Sequence, residues 1–323
     1  MLWSNSRAAG SLRMRIVFFG SPEAALPSLA KLLEAGHAVA LAITQPDRPF
    51  GRGKKLTPSP VKTFALDHGI PVSQPERIRK DPAALELLQS IRADIHVVVA
   101  YGQIIPAAIT DLPAYRSINV HFSLLPRYRG ASPVQAALLN GEKKTGVTIF
   151  RLNERMDEGD VLSMVGTAIL PDENGGELET RLASIGADLL IDTLARIDSI
   201  VPVPQDHSAA TSAPKIQKED GKLAWASEAA VINRKVRAFT PRPSAFTFFK
   251  GQRLIILKGR ALESTTTEDA PGRILAVAKD GLDICCKDGT IYRIQSLQPE
   301  SKTAMDAHAY SLNGRIKIGD LLG

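Results

Sequence analysis

Short apolar runs alternate with helix-like stretches through the first half of this chain, and that alternation most restricts what it can fold into. "RIVFFG" (15–20) reads as a buried strand. Ser21 and Pro22 then offer an N-cap and a first-turn proline for a helix over "EAALPSLAKLLEAG" (23–36), in which Pro27 predicts a kink. Gly36 ends that helix, and "HAVALAIT" (37–44), "ADIHVVVAYG" (93–102), "SINVHFS" (117–123) and "TGVTIF" (145–150) are further strands. A helix from Pro133 to Asn140, capped by Ser132 and stopped by Gly141, precedes the last of them. Strands alternating with helices make a mostly parallel sheet covered on both faces, and right-handed crossovers make it α/β, Rossmann-like and doubly wound. Ligands of such sheets bind beyond the carboxyl ends of the strands, where Asn119 and His121 fall.

The texture changes near residue 200. "VPVPQDHSAATSAPK" (201–215) is rich in Pro, Ser and Ala and reads as a linker. Beyond it, "SAFTFFKG", "RLIILKGRAL", "GRILAVAKD", "GLDICCKDG" and "TIYRIQSL" are short strands separated by Gly-containing turns, the pattern of a small all-β barrel. Charge follows the same division. Residues 1–207 hold 22 Lys and Arg against 22 Asp and Glu, and residues 208–323 hold 18 against 12, so the whole net charge of +6 lies in the last third. Such asymmetry is compatible with a polyanionic partner or with solubility alone. The expected boundaries are an extension over 1–13, a first domain over 14–204, a linker over 205–214 and a second domain over 215–323.

Side chains of a strand alternate between its faces, so Ser117, Asn119, His121 and Ser123 share one face and Ile118, Val120 and Phe122 the other. An Asn amide can hold an oxyanion, and a His can carry a proton in either direction near neutral pH. A hydrogen-bonded pair on a solvated sheet edge would have the same spacing. "SLLP" (123–126) follows at once as an abrupt turn, and Arg127 and Arg129 make its rim cationic. "NERMDEGDVL" (153–162) offers Asp157, Glu158 and Asp160 as carboxylates to orient His121, and spacing does not choose among them.

A second conspicuous stretch is "TQPDRPFGRGKKLTPSPVK" (44–62), with four prolines, two glycines and five Lys or Arg residues after a strand of the same sheet. Long loops at that end of a sheet are usually functional, and its cations could follow a phosphate backbone. "FFGSP" lacks the G-x-G-x-x-G pattern, so no dinucleotide site is expected. The neighbouring Cys285 and Cys286 have neither disulfide-framework nor metal-ligand spacing, and read as structural thiols of a reducing compartment. No apolar run of bilayer length occurs, and the first 13 residues lack a signal-peptide core. The expectation is a cytoplasmic, metal-free protein that does not enter membranes.

These motifs together resemble the methionyl-tRNA formyltransferase family. The resemblance is carried by "RIVFFGSPEAALPSL", "TQPDRPFGRGKKLTPSPVK", "VVVAYGQIIP", "INVHFSLLPRYRGASPVQAALLNGEKKTGVTIF", "MDEGDVL" and "VRAFTPRPSAFT", and spans nearly the whole chain from Met14. It implies that 10-formyltetrahydrofolate donates its formyl group to the amino group of initiator methionyl-tRNA. It also implies Asn119, His121 and Asp157 as the catalytic set and Ser123, Leu124, Leu125 and Pro126 as the folate-binding turn. Arg52, with Lys54 and Lys55 beside it, corresponds to the loop that engages the tRNA acceptor end, and the β-rich tail to an OB-like barrel. A monomer is expected. Phe122, a packing change on the apolar face, and Ser21, a conservative replacement, depart from the family's usual residues; "QPESKTAM" (298–305) lacks its usual Gly-Lys, which leaves the RNA contacts of the tail open. A small-amine formyltransferase or a folate-dependent hydrolase would share the catalytic set, but would not need the cationic loop and basic tail.

Overall fold

The computed structural model describes residues 13–50, 55–262, 267–312 and 315–323. The expected N-terminal extension therefore lies, except for Arg13, outside the described residues. Contacts divide the chain into two compact units. The first holds residues up to Gly130, Gly146–Thr167 and Thr180–Ser212; the second holds Ala131–Thr145, Ala168–Glu179 and Ala213–Gly323.

The strands before residue 170 are β1 Arg15–Gly20, β2 Ala38–Ile43, β3 Arg48–Phe50, β4 Lys55–Thr57, β5 Val72–Ser73, β6 Ile95–Val99, β7 Ser117–His121, β8 Lys144–Arg151 and β9 Val161–Ala168. Among the described residues, seven of them form one sheet in the order β5-β2-β1-β6-β7-β8-β9. Pairing is parallel from β5 through β7 and antiparallel between β7 and β8. Helices α1 Leu26–Glu34, α2 Pro60–Asp67, α3 Pro82–Ile91 and α4 Ala107–Thr110 connect the parallel strands. Val17, Phe19, Leu41, Ile43, Leu88, Val98 and Ile109 are fully or nearly buried in one cluster, as a sheet with a covered face requires.

Several local expectations change, among them the cap of α5 Pro133–Leu139, where the Ser132 side chain makes no capping bond. The helix expected from residue 23 starts instead at Leu26, after a single turn of 3₁₀ helix over Glu23–Ala25. Pro27 thus sits in the first turn, where its missing N–H removes a donor that has no partner anyway, and it kinks nothing. Ser21 does not cap this helix; its Oγ accepts from the Gln45 N–H at 2.9 Å.

In the second unit, α5 Pro133–Leu139 and α7 Ala229–Phe239 accompany an antiparallel sheet, and α6 Gly175–Ala195 begins there. The strands are β10 Ala245–Phe249, β11 Gln252–Ala261, β12 Ile274–Ala278, β13 Gly281–Cys285, β14 Ile291–Pro299 and β15 Met305–Asp306. Their order is β10-β11-β14-β13-β12, with β15 on β14. Ala229, Ile232, Val236 and Phe239 recur at helical spacing and are the buried stripe of α7. They belong with Trp225, Ile256, Ile284, Tyr292 and Ile294 to one apolar core or its margin. Trp225 satisfies its indole N–H by donating to Thr247 Oγ1 at 2.9 Å.

Candidate active site

Strand β7 puts Asn119 opposite Phe150 and His121 opposite Thr148. His121 is buried, Asn119 half-buried. The His121 Nε2 lies 2.9 Å from the carbonyl oxygen of Tyr128. A carbonyl only accepts, so Nε2 carries the hydrogen and donates it. In the neutral ring the lone pair is then on Nδ1, and Nδ1 faces Asp157 Oδ2 at 3.8 Å. That separation suits an imidazolium–carboxylate pair and is too long for a direct hydrogen bond. The ring of Phe150 meets the imidazole edge-on, with centroids 6.3 Å apart. Nδ1 is thus the nitrogen free to take and return a proton, with the Asp157 carboxylate opposite it.

The acid arrives on a strained turn. Asp157 has φ +54°, a left-handed conformation that Asp tolerates better than most residues, and its Oδ2 accepts from the Gly130 N–H at 2.8 Å. Two residues on, Gly159 is pressed against the end of β8: a Cβ there would overlap the carbonyl oxygen of Arg151. Only glycine fits that approach. Of the three acids left open by spacing, Asp157 meets His121. Glu158 turns to Arg129 at 3.3 Å and to Arg155 at 3.5 Å, and Asp160 is exposed.

The turn after β7 is held by its own bonds. Ser123 Oγ donates to the Arg127 carbonyl at 2.6 Å. Thr148 Oγ1 donates to the Ser123 carbonyl at 2.7 Å and accepts from the Leu125 N–H at 3.1 Å. Those groups are satisfied internally, so Leu124 and Pro126, both partly exposed, present apolar surface from a fixed backbone at the carboxyl end of the strand.

The stretch at 44–62 contains the antiparallel pair β3–β4. Its base is tied by Lys62 Nζ, which donates to Asp47 Oδ2 and Gln74 Oε1 at 2.7 Å each, and by Gln74 Nε2, which donates to Asp47 Oδ1 at 2.9 Å. The bond from Lys62, then that from Gln74, hold the Asp47 carboxyl below the usual carboxylate range. Arg52 and Lys54 lie outside the described residues, as does the side chain of Lys55.

Residue spacing gave no hint of Tyr128, Thr148 or Gln205, whose polar atoms set this geometry from 7 to 48 residues away. Among the described residues no group of three His, Cys, Asp or Glu side chains could hold a metal ion, and no helix is long and apolar enough to cross a membrane. Cys285 and Cys286 are free and buried, and burial pushes the Cys286 thiol up to about 12.

Residues 14–194 match the family model described as formyl transferase, and residues 215–315 match that of the formyl transferase C-terminal domain. A methionyl-tRNA formyltransferase of Citrifermentans bemidjiense is 42% identical over 312 residues, covering 96% of this chain and 96% of the relative. One of Hydrogenovibrio crunogenus is 40% identical, covering 96% and 99%. Among solved structures, an N-formyltransferase from Helicobacter canadensis superimposes with TM-score 0.66 at 18% identity, covering 88% of this chain and 99% of that one. HypX from Aquifex aeolicus, solved with tetrahydrofolic acid, gives 0.64 at 17%, covering 92% and 47%. At such identities the two structures show a common fold.

Proposed function

This chain belongs to the methionyl-tRNA formyltransferase family, and we propose that it transfers the formyl group of 10-formyltetrahydrofolate to the amino group of methionine on initiator tRNA. The observation that carries the reading is 40–42% identity to enzymes of that name across 96% of the chain.

The folate supplies the formyl carbon and leaves with a proton on the nitrogen that held it. Asn119, Asp157 and His121 do the rest. The Asn119 amide donates to the formyl oxygen as negative charge builds there. His121, with Nε2–H engaged by Tyr128, takes the proton of the attacking amine on Nδ1 and passes it to the departing nitrogen. Asp157 stabilises the imidazolium in between. Leu124 and Pro126, on a backbone fixed by Ser123 and Leu125, form the wall for the folate ring. Arg52, Lys54 and Lys55 contact phosphates of the tRNA acceptor end.

In the same reading the first domain, 14–204, is Rossmann-like and the second, 215–323, an OB-like barrel, with 205–214 between them. The antiparallel order of β10–β14 and the basic excess beyond residue 207 support a nucleic-acid platform there. Two free cysteines suit the cytoplasm. A monomer is the simplest working form, which light scattering on the purified chain checks.

The test is formyl transfer to methionyl initiator tRNA, run beside a small-amine acceptor and a water-only control. Transfer to the tRNA that falls steeply between low and moderate salt is the expected result. Activity only on the small amine, or formyl release to water alone, overturns the substrate assignment.

A further inference from the structure

Residues 203–212 thread past the turn that carries Asp157 and the loop that follows the strand of His121. Val203 and Val161 exchange backbone hydrogen bonds of 2.8 and 2.9 Å. Thr211 accepts the Tyr128 N–H on its Oγ1 and the Arg129 N–H on its carbonyl, each at 2.8 Å, so it braces the residue whose carbonyl holds His121. Between these points Gln205 is 7% exposed and uses both ends of its carboxamide. Its Nε2 donates to the carbonyl oxygens of Asp157 at 2.9 Å and Gly159 at 2.7 Å. Its Oε1 accepts from Arg129 Nε at 3.1 Å and Nη2 at 2.8 Å. Arg129 also reaches Glu158, which places all three groups around the same turn.

One carboxamide therefore joins the turn bearing the acid to the loop that follows the histidine strand. The turn needs it, because Asp157 at φ +54° holds a conformation that its surroundings must maintain. Among neutral side chains only a carboxamide combines two donors with an acceptor, so no apolar residue of the same length can substitute.

We propose that Gln205 is a positioning residue for formyl transfer, holding the Asp157 carboxylate opposite Nδ1 of His121 by tying the 157–160 turn to Arg129. The inference rests on the catalytic reading of His121 and Asp157 given above. A shift of about 1 Å in such a pair can cost on the order of 100-fold in rate.

The experiment is a double-mutant cycle of Gln205→Glu and Asp157→Asn, read as kcat and KM for formyl transfer to methionyl initiator tRNA, with a thermal melt of each variant. Glu keeps the length and the acceptance from Arg129 but loses both donations to the carbonyls. Gln205→Glu is expected to lower kcat by roughly 10- to 100-fold, with KM for either substrate changed by less than about threefold. Added to Asp157→Asn it should cost almost nothing more, because its effect passes through the acid. Wild-type kcat in Gln205→Glu, or a double variant that loses the product of both single effects, overturns the proposal and leaves the catalytic reading standing. Wild-type kcat in Asp157→Asn overturns both. Should Gln205→Glu fail to fold, Gln205→Met is read in the same way, and failure of both to fold also overturns the proposal, since the residue would then be a brace of the whole unit.

Discussion

Two arginine forks, one in each unit, are built alike and do different work. In the second unit Arg293 stands across from Asp283 on neighbouring strands and binds both its carboxylate oxygens, Nε at 2.6 Å and Nη2 at 2.8 Å. Its Nη1 binds Asp280 at 2.7 Å, and these bonds, that from Asp283 first, raise the guanidinium pKa further. Both acids are charged side chains, Asp283 on β13 and Asp280 in the turn leading into it, so the fork ties neighbouring segments of one sheet. In the first unit Arg129 gives two bonds to the neutral Gln205, which passes the constraint to the backbone of the Asp157 turn. Arg129 also meets a charge, Glu158 at 3.3 Å, but it is the carboxamide of Gln205 that carries its hold on to the backbone of the Asp157 turn.

That contrast can be broken from either side. The largest effect belongs to His121→Ala, which should lower formyl transfer by about 1,000-fold while moving the melting temperature little, since the ring leaves its strand pairing intact. A stopped assay at saturating folate, beside a melt, checks both halves. Next comes the acid sensitivity that His96 gives the first unit. Burial pushes His96 from an ordinary 6.5 down to about 4. The unfolded chain therefore binds this proton as pH falls below 6.5 while the folded one refuses it until about 4, so stability is full above 6.5 and is lost across that window. The loss is up to about 3 kcal/mol, and His96→Gln should flatten it in urea titrations at several pH values. The smallest effect is Arg293→Met, which strands two carboxylates, one of them well exposed, and should cost about 2 kcal/mol in urea denaturation. Formyl transfer per folded molecule should not change in that variant, whereas any loss of kcat would show that the second fork also shapes the site.

Some of this was legible in the residues. Period-two alternation set Asn119 and His121 on one face, and the strand-and-helix alternation required a largely parallel sheet. Helix α7 is harder to read, because its buried positions sit among Asn, Arg and Lys. The carboxylate facing His121 could not be chosen from spacing, since the choice depends on a left-handed backbone at Asp157 and on Gly159 touching Arg151. Nor does the Pro, Ser and Ala composition of 201–215 reveal that Gln205 bonds to residues 46, 48 and 76 positions earlier. Local propensity carries no record of such distant pairing.

The Val161–Val203 exchange has a consequence for how this protein is kept apart from its neighbours. Strand β9 is one of the two outer strands of the seven, and an uncovered outer strand offers unpaired backbone groups to any other extended chain. Val203 occupies those groups at the first residue of β9, with its own side chain turned largely to solvent. Proteolytic nicking just ahead of Val203 would therefore expose the backbone groups of Val161 as well as loosening the segment that holds Gln205, so cleaved material should lose activity.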